Sequence, residues 1–416
     1  MSQQDMSTHY FPLDTATVVG YVRQTPELKA LFNDSDDIEA VEVGDGNLNL
    51  VFKLWARADR RRTVVLKQAL PYLRLVGESW PLPVDRARIE AQALEMEYRL
   101  VPQHTPRLYY FDPVMYLTAM QNLDAHIIMR NGLIKGIKYP QFADHIGLFL
   151  ARTLGCTSDL VLNSRTKKAS VVRFTNPELC KITEDLVFTE PYRRTERNMY
   201  HKEIEPQVLA LQADDGLRNQ VARLRDTFMT QAQALIHGDL HTGSIMVNQT
   251  ETYVIDPEFA TYGPIGFDVG AVIGNLLLSY ASHEVRTVDP LQRADFRNYL
   301  MDTIIGLWRA FEREFQRAVW DHVDRINMPK GFQENYMLRV FQDSAGMGGC
   351  KMVRRVIGLA GAADIRGIED VTQRSIAASL ALNIGQALIM NYNRLGNIEA
   401  LVDMAISCKP AYPWRA

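Results

Sequence analysis

The first third of the chain alternates apolar and polar residues in the way that β-strands do. An alternating segment at residues 38–43 is followed by the apolar runs LVFKLWA (50–56) and TVVLKQAL (63–70). The segment GDGNLN joins the first two, and an arginine-rich turn joins the second and third. These spacings predict an antiparallel sheet of at least three strands, with two further strands in RLYYFDP and VMYLTAMQNL.

The pattern becomes helical after GESWPLP, a segment whose glycine and prolines predict a loop. Apolar residues recur at positions 89, 93, 96 and 100, and Asp85 stands where an N-cap belongs. Prolines at 102 and 106 end this helix. Beyond Leu123 helical patterns dominate to the C-terminus, apart from a short segment at residues 235–260. The chain is therefore predicted to be an α+β protein with two lobes, a small antiparallel-sheet lobe at 1–124 and a large, mainly helical lobe at 125–416.

Composition narrows the class of protein. The 416 residues are 47% apolar and 23% charged, which supports a large core and excludes a disordered chain. A net charge of −3 lacks the basic footprint of a nucleic-acid binder. The apolar run at 269–282 is shorter than the ~20 residues of a membrane span, so we expect a buried core helix and no membrane partner. Four widely spaced cysteines and a polar N-terminus favour the cytoplasm.

The chemistry is concentrated between residues 234 and 272. Two short apolar strands flank a turn at NQTE, with HGDLHTGS before the first strand and DPE after the second. A hairpin with acidic residues at both mouths brings carboxylates together, which suits hydroxyl activation by one and Mg²⁺ binding by the others. Asp239 belongs to the first motif, and Asp256, Pro257 and Glu258 form the second.

This order of motifs resembles the catalytic core of the protein-kinase-like enzymes, and HGDLHTGS is closer to the aminoglycoside phosphotransferase and choline kinase branch than to protein kinases. In that pattern the Asp of HxD accepts the substrate hydroxyl proton and the later Asp holds Mg²⁺ on ATP. The resemblance implies that GDGNLN covers phosphates and that Lys67 pairs with them. It makes Glu90 the partner of Lys67, with Glu97 as the fallback, and it makes residues 121–123 the interlobe hinge that holds adenine.

Longer strings are similar to the 5-methylthioribose kinases, in order along nearly the whole chain: GDGNLN, SWPLP, DRARIEAQAL, HGDLHTGSI, DPEFATYGPIGFD and GMGGCKMVRRVIGLAG. The resemblance implies a homodimer and ATP-dependent phosphorylation of the sugar 1-hydroxyl in methionine salvage. It makes Asp239 the base that binds the sugar and makes Asp256 and Glu258 the Mg²⁺ ligands. The implied nucleotide contacts are Asn49, Lys67, Gln121, Asn122, Leu123, Asp256, Pro257 and Glu258.

The same resemblance assigns Arg354 and Arg355 to the sugar or the transferring phosphoryl group. Adjacent helical residues point about 100° apart, so Arg354 is the stronger candidate. Its glycine neighbours at positions i+4 and i+7, Gly358 and Gly361, would leave room for a ligand. Asp268 is expected to anchor the loop at Asp239, and His237 to orient that loop.

Ser244 stands five residues after Asp239, where the general pattern has Asn. A hydroxyl is a poorer Mg²⁺ ligand than an amide oxygen, and Glu258 could replace it. The substitution favours the methylthioribose branch. Two alternatives stay open: a kinase for another small alcohol (an aminoglycoside, choline or homoserine), and a non-catalytic nucleotide-binding pseudokinase.

Overall fold

The computed structural model describes residues 9–44, 48–74, 77–323 and 326–412. Three residues of the predicted phosphate-covering loop, Asp45, Gly46 and Asn47, lie outside this range. The chain forms two compact units. The first contains the described residues up to Ala125 together with Ile255–Ala260, and the second contains the described residues of His126–Val254 and Thr261–Ala416. The assignment of separate roles to residues 1–124 and 125–416 stays a prediction.

The first unit is built on the predicted antiparallel sheet, which has five strands in the order β1-β2-β3-β7-β6. In the register, Lys67 of the third strand lies opposite Val51 on one side and Thr118 on the other. The helices and strands of this unit are α1 (Val18–Gln24), α2 (Pro26–Lys29), β1 (Ile38–Glu42), β2 (Asn49–Ala56), β3 (Asp59–Ala69), β4 (Tyr72–Leu73), β5 (Gly77–Pro81), α3 (Arg86–Leu100), β6 (Leu108–Asp112) and β7 (Leu117–Met120).

Alternation along the strands of this sheet creates one apolar core. Phe52, Leu54 and Leu66 are fully buried and pack with Val18 and Val22 of α1. Full burial of a side chain of this size stabilises the fold by about 1.5–3 kcal/mol. The predicted strands therefore share one packed core.

Two local predictions in this unit need correction. Part of GESWPLP, predicted as a loop, is the short strand β5, which pairs with β4. Trp80 and Tyr72 favour extended structure, and this preference outweighs the flanking glycine and prolines. Helix α3 begins after Asp85 as predicted, but the Asp85 carboxylate makes no N-cap hydrogen bond and pairs with Arg88 instead, Nη2 to Oδ2 2.6 Å.

The second unit is mainly helical, as predicted. Its predicted hairpin is confirmed, with Ile245 opposite Val254 and the turn NQTE between the strands. The strands are β8 (Ile127–Ile128), β9 (Ala234–Ile236), β10 (Ile245–Val247), β11 (Thr252–Val254) and β12 (Thr261–Gly263). The helices are α4 (Met129–Ile134), α5 (Phe142–Cys156), α6 (Ser164–Arg173), α7 (Pro177–Phe188), α8 (Glu205–Ala213), α9 (Asp215–Thr230), α10 (Ile265–Arg286), α11 (Pro290–Phe315), α12 (Lys330–Ile357), α13 (Ala363–Arg366), α14 (Val371–Asn391) and α15 (Ile398–Ser407).

Helix α10 contains the predicted apolar run and is the core helix of this unit. By length and composition it could cross a membrane, but its apolar window is 100% buried inside the unit. The prediction of a buried core helix is confirmed. The expected cytoplasmic location stays a prediction.

Glycines bring α12 unusually close to α10 and α14. A Cβ on Gly348 would lie 2.8 Å from the Gly270 carbonyl oxygen, and one on Gly274 would lie 2.6 Å from the Gly348 carbonyl oxygen. On the other side of α12, a Cβ on Gly349 would lie 2.6 Å from the Gly385 carbonyl oxygen. Because side chains at these positions would force the helices apart, this glycine seam fixes the position of the last turns of α12.

Candidate functional site

The loop that follows β9 is held by a carboxylate from the first turn of α10. The backbone N–H groups of His237 and Gly238 donate to Asp268, at 2.6 and 3.1 Å. Gly238 has φ +84°, a conformation that glycine adopts without strain. The Asp239 N–H then donates to His237 Nδ1 at 3.3 Å. The predicted roles of Asp268 as the anchor and His237 as the orienting residue of this loop are confirmed.

Asp239 projects from this loop toward basic groups of α12. Its Oδ1 lies 3.2 Å from Lys351 Nζ and 3.6 Å from Arg355 Nη2. Burial opposes the negative charge, but the neighbouring His241, together with these cations and Arg354, outweighs it and holds the pKa of Asp239 well below its usual range. The side chain keeps 23% of its exposure. Asp239 is therefore an ionised carboxylate that a small molecule can reach.

His241 stands on the other side of Asp239 as a neutral imidazole. Burial lowers the pKa of His241 well below its usual range. The Gly243 N–H donates to Nδ1 at 3.0 Å, which leaves the proton on Nε2, 3.5 Å from Asp239 Oδ2. Ser244 uses its hydroxyl inside the same loop, 3.2 Å from the Asp239 carbonyl oxygen.

The last turns of α12 present Lys351, Arg354 and Arg355 within one helical turn. The Arg355 Nη1 also donates to the Ala360 carbonyl at 3.0 Å. Within the described residues, Arg354 Nε and Nη1 are buried without a hydrogen-bond partner. Because a buried donor without a partner costs about 1–3 kcal/mol, Arg354 is suited to a ligand that accepts hydrogen bonds.

The two glycines predicted to leave room beside Arg354 do not share its helical face. Helix α12 ends at Ile357 with Gly358 as its C-cap, so Gly361 does not continue the helical face. A Cβ on Gly361 would collide with the Arg366 guanidinium. The prediction that both glycines line a ligand beside Arg354 is wrong, because it assumed a helix longer than the one that forms.

In the first unit, Lys67 binds two carboxylates. Its Nζ lies 2.8 Å from Glu90 Oε1 and also contacts Asp256 Oδ1. Burial works against the ammonium, but Asp256 and Glu90 outweigh it and raise the pKa of Lys67. Burial also raises the pKa of Glu90 to about 7, against the attraction of Lys67. The predicted pairing of Lys67 with Glu90 is confirmed, and the fallback Glu97 is not the partner.

Asp256 and Glu258 gather with Glu90 around this lysine. One oxygen from each of the three carboxylates lies within 4.8 Å of the others. The Glu258 Oε2 accepts from Asn49 Nδ2 at 3.0 Å and lies 3.3 Å from Arg86 Nε. Burial is the main reason why the pKa of Glu258 is raised. Asp256 has φ +72°, a left-handed conformation that costs about 1–2 kcal/mol in a non-glycine residue.

The predicted hinge residues follow β7 directly. The Gln121 N–H donates to the Arg107 carbonyl at 2.8 Å, and Asn122 Nδ2 donates to Thr63 Oγ1 at 2.8 Å. Leu123 is buried. These contacts hold the segment against Arg107 and strand β3. The role of Gln121–Leu123 in holding adenine, and that of Pro257 in nucleotide binding, stay predictions.

Comparisons with known proteins show the family in which these motifs occur. Residues 39–310 match the model of a phosphotransferase enzyme family. A methylthioribose kinase of Erwinia tasmaniensis is 42% identical over 396 residues, which covers 95% of this chain and 98% of the relative. One of Geobacillus kaustophilus is 44% identical and covers 86% and 89%. This chain belongs to the methylthioribose kinase family. Among solved structures, Plasmodium vivax ethanolamine kinase is similar over 96% of this chain and 93% of its own, with a TM-score of 0.46 and 13% identity.

Membership in the methylthioribose kinase family confirms the resemblance of the motif strings and the predicted α+β, kinase-like fold class. The chain is thus a phosphotransferase of the branch that HGDLHTGS indicated.

Two residues around the site were not identified from the sequence. Arg86 joins Asn49 to Glu258, and Lys351 flanks Asp239. A signal existed for Lys351, because it precedes Arg354 and Arg355 by three and four positions and so shares their helical face. Arg86 opens α3 with no pattern to distinguish it from a surface arginine, and its burial depends on tertiary contacts alone.

Proposed function

We propose that the protein transfers the γ-phosphoryl group of ATP to the 1-hydroxyl of 5-methylthioribose, giving 5-methylthioribose 1-phosphate and ADP. The observation that carries this proposal is the ionised Asp239 carboxylate beside the cationic face of α12. The choice of 5-methylthioribose as the acceptor rests on the names of the relatives. An acid group that is ionised, reachable and next to buried cations suits proton acceptance from a hydroxyl whose product carries a phosphate.

In this reaction the sugar O1–H bond breaks as its proton passes to Asp239. The O1–phosphorus bond forms while the bond from phosphorus to the β-phosphate oxygen breaks, and ADP leaves. Arg354, with its buried nitrogens, would bind the phosphoryl oxygens, and Arg355 is already held by Asp239 and Ala360. Positioning and neutralisation of charge make up most of catalysis in phosphoryl transfer.

The nucleotide is assigned to the first unit. Lys67 is a buried ammonium held in place by Glu90, and it suits the ATP phosphates as a point charge. Asn49 is fixed between Arg86 and Glu258 and would present its amide to the nucleotide. We further propose that adenine binds the backbone of Gln121–Leu123.

A Mg²⁺ ion fits the carboxylates of the first unit. Asp256 and Glu258 offer the hard oxygen donors that Mg²⁺ prefers, and the Asp256 side chain is 42% exposed. When bound with ATP, the ion would neutralise phosphate charge. The cluster also contains Glu90 and is balanced by Lys67, so it is a site in which positive charge is already stabilised.

A coupled ADP-release assay tests the proposal. The purified protein is given ATP and Mg²⁺ with methylthioribose, and in parallel with choline, homoserine or an aminoglycoside. We expect release of one ADP per methylthioribose and formation of the sugar 1-phosphate by phosphorus NMR. Turnover of choline or an aminoglycoside without turnover of methylthioribose would replace the proposed acceptor. ATP binding without turnover of any acceptor would instead indicate a nucleotide-binding pseudokinase.

The homodimer implied by the sequence resemblance is also a proposal. Light scattering on the purified chain measures it directly, since a monomer has a mass of 47.3 kDa. A mass near twice this value at micromolar concentration would support the dimer, and the monomer mass would refute it.

A further inference from the structure

Lys351 is a buried ammonium held on two sides. Its Nζ lies 3.2 Å from Asp239 Oδ1 and 4.3 Å from the centre of the Phe267 ring. Lys351 is 3% exposed. It comes from the part of α12 that the glycine seam presses against α10, so its position is set by backbone packing and not by a flexible loop.

A stabilising role alone does not account for this lysine. A buried ion pair commonly adds no net stability over apolar residues of the same size, because both charges lose their hydration. Burial lowers the pKa of Lys351 to about 8, in spite of the attraction of Asp239 and with further opposition from Arg354 and Arg355. The fold thus keeps a positive charge that burial disfavours, and it keeps this charge beside the carboxylate assigned to proton transfer.

We propose that Lys351 is a positioning residue for phosphoryl transfer: its ammonium fixes Oδ1 of Asp239, so that Oδ2 is turned to the substrate hydroxyl. This inference rests on the proposed function of Asp239. The terminal torsion of an aspartate is broad, so an unheld carboxylate rotates. Lys351 on one oxygen and the His241 Nε2–H, 3.5 Å from the other, restrict that rotation.

The charge on Lys351 is what performs this role, and the role therefore depends on pH. Below pH 8 the ammonium is protonated and holds Asp239, and above it the contact weakens. The charged and titratable groups that surround this pair, from its own loop and from α4, α10 and α12, are His241, Arg130, Asp268, Arg354 and Arg355.

The test compares the variants Lys351→Met and Lys351→Arg with the wild type. For Lys351→Met we expect kcat with methylthioribose to fall about 10–100-fold, the loss typical of a misplaced reacting group, while KM for ATP changes little. The alkaline limb near pH 8 in the wild-type profile of kcat against pH should disappear in Lys351→Met. Lys351→Arg should recover part of kcat and move the limb to higher pH, because a guanidinium stays charged.

Lys167→Met is the matched control. Lys167 is also 3% exposed, and it bonds Asp159 and the Gln233 carbonyl. It should lose stability without changing the pH profile. The positioning role is overturned if Lys351→Met keeps the wild-type kcat and the alkaline limb of the pH profile. It is also overturned if Lys351→Met loses activity only in proportion to a fall in Tm, and Lys167→Met shows the same fall.

A double-mutant cycle separates this inference from the proposed function. The unfolding of Asp239→Asn, Lys351→Met and the double variant is measured in urea, without any substrate. We expect the double variant to lose less than the sum of the single losses. If the wild type does not phosphorylate methylthioribose, the proposed function fails, and a retained coupling still supports the pair. Additive losses would refute the contact itself.

Discussion

The Lys67 ammonium donates to the Glu90 carboxylate across 2.8 Å, and both side chains are almost fully buried. Lys67 comes from the middle of a five-stranded sheet and Glu90 from helix α3. Each side chain stabilises the charge of the other at a position that water hardly reaches. Their pairing fixes the lysine in the position from which it can bind phosphates.

The variant Glu90→Gln tests this relationship. An amide removes the charge but keeps the shape, so Lys67 should turn further to Asp256 and bind phosphate less well. A lost hydrogen bond to a charged group is worth about 1.5–3 kcal/mol, so KM for ATP should rise roughly 10–100-fold. Isothermal titration with ATP measures the same loss directly.

Glu97→Gln is the control for Glu90→Gln. Glu97 lies on the same helix and is also buried, but its side chain does not pair with Lys67. Because Glu97→Gln removes no contact with Lys67, KM for ATP should stay within about twofold of the wild type. A tenfold change would require a loss of about 1.4 kcal/mol in binding free energy. An equal loss in both variants would mean that the helix, and not the pair, is responsible.

Asp239→Asn should abolish most turnover while the protein folds normally. The amide cannot accept the proton, and general-base catalysis contributes about 10²–10⁴ in rate. Stopped assays of sugar phosphate formation measure this loss, and ATP affinity provides the internal control because Asp239 belongs to the other unit. Near-wild-type turnover would show that another group takes the proton.

Gly348→Ala should destabilise the second unit. The added methyl group would lie 2.8 Å from the Gly270 carbonyl oxygen, so α10 and α12 must separate, at a cost of at least about 2 kcal/mol. Gly331→Ala on the same helix is the control. A Cβ there meets nothing within 4 Å, and stability should change by less than about 1 kcal/mol. Urea denaturation distinguishes the two, and equal midpoints would contradict the close packing.

His283 should make the protein sensitive to acid. Its Nε2 donates to the Leu133 carbonyl and its Nδ1 accepts from Thr287, both at 2.8 Å, which only the neutral ring can do. Burial lowers the pKa of His283 from 6.5 to about 4. The contribution of neutral His283 to the free energy of unfolding is therefore complete above pH 6.5. About 3 kcal/mol of it is lost as the pH falls from 6.5 toward 4.

In His283→Gln this part of the pH dependence should vanish, although stability at pH 7 also falls. His322→Gln, at an exposed position, should keep the wild-type dependence. Chemical denaturation between pH 4 and 7 provides the comparison. An unchanged slope in His283→Gln would assign the acid sensitivity to other groups.

The sequence predicted those features that depend on local periodicity and on ordered motifs. The sheet, helix α3 and the hairpin after Asp239 all follow from spacing, and the Lys67–Glu90 pair follows from the resemblance. Arg86 was missed because nothing in its local sequence records that it is buried. Lys351 was missed although its spacing from Arg354 and Arg355 places it on their helical face. The end of α12 was misplaced because the helical pattern continues past Gly358, where the backbone turns extended.

The return of the chain at Ile255–Ala260 to the first unit sets an order of events during synthesis. Glu258 bonds Asn49 across 209 residues. A ribosome that adds about 5–20 residues per second delivers Glu258 roughly 10–40 s after Asn49. Through that interval Arg86 and Asn49 lack their carboxylate partner. The small unit therefore reaches its final contacts only after residues 126–254 of the large one have been made. A fragment that stops at residue 125 would need the segment 255–260 as a separate peptide.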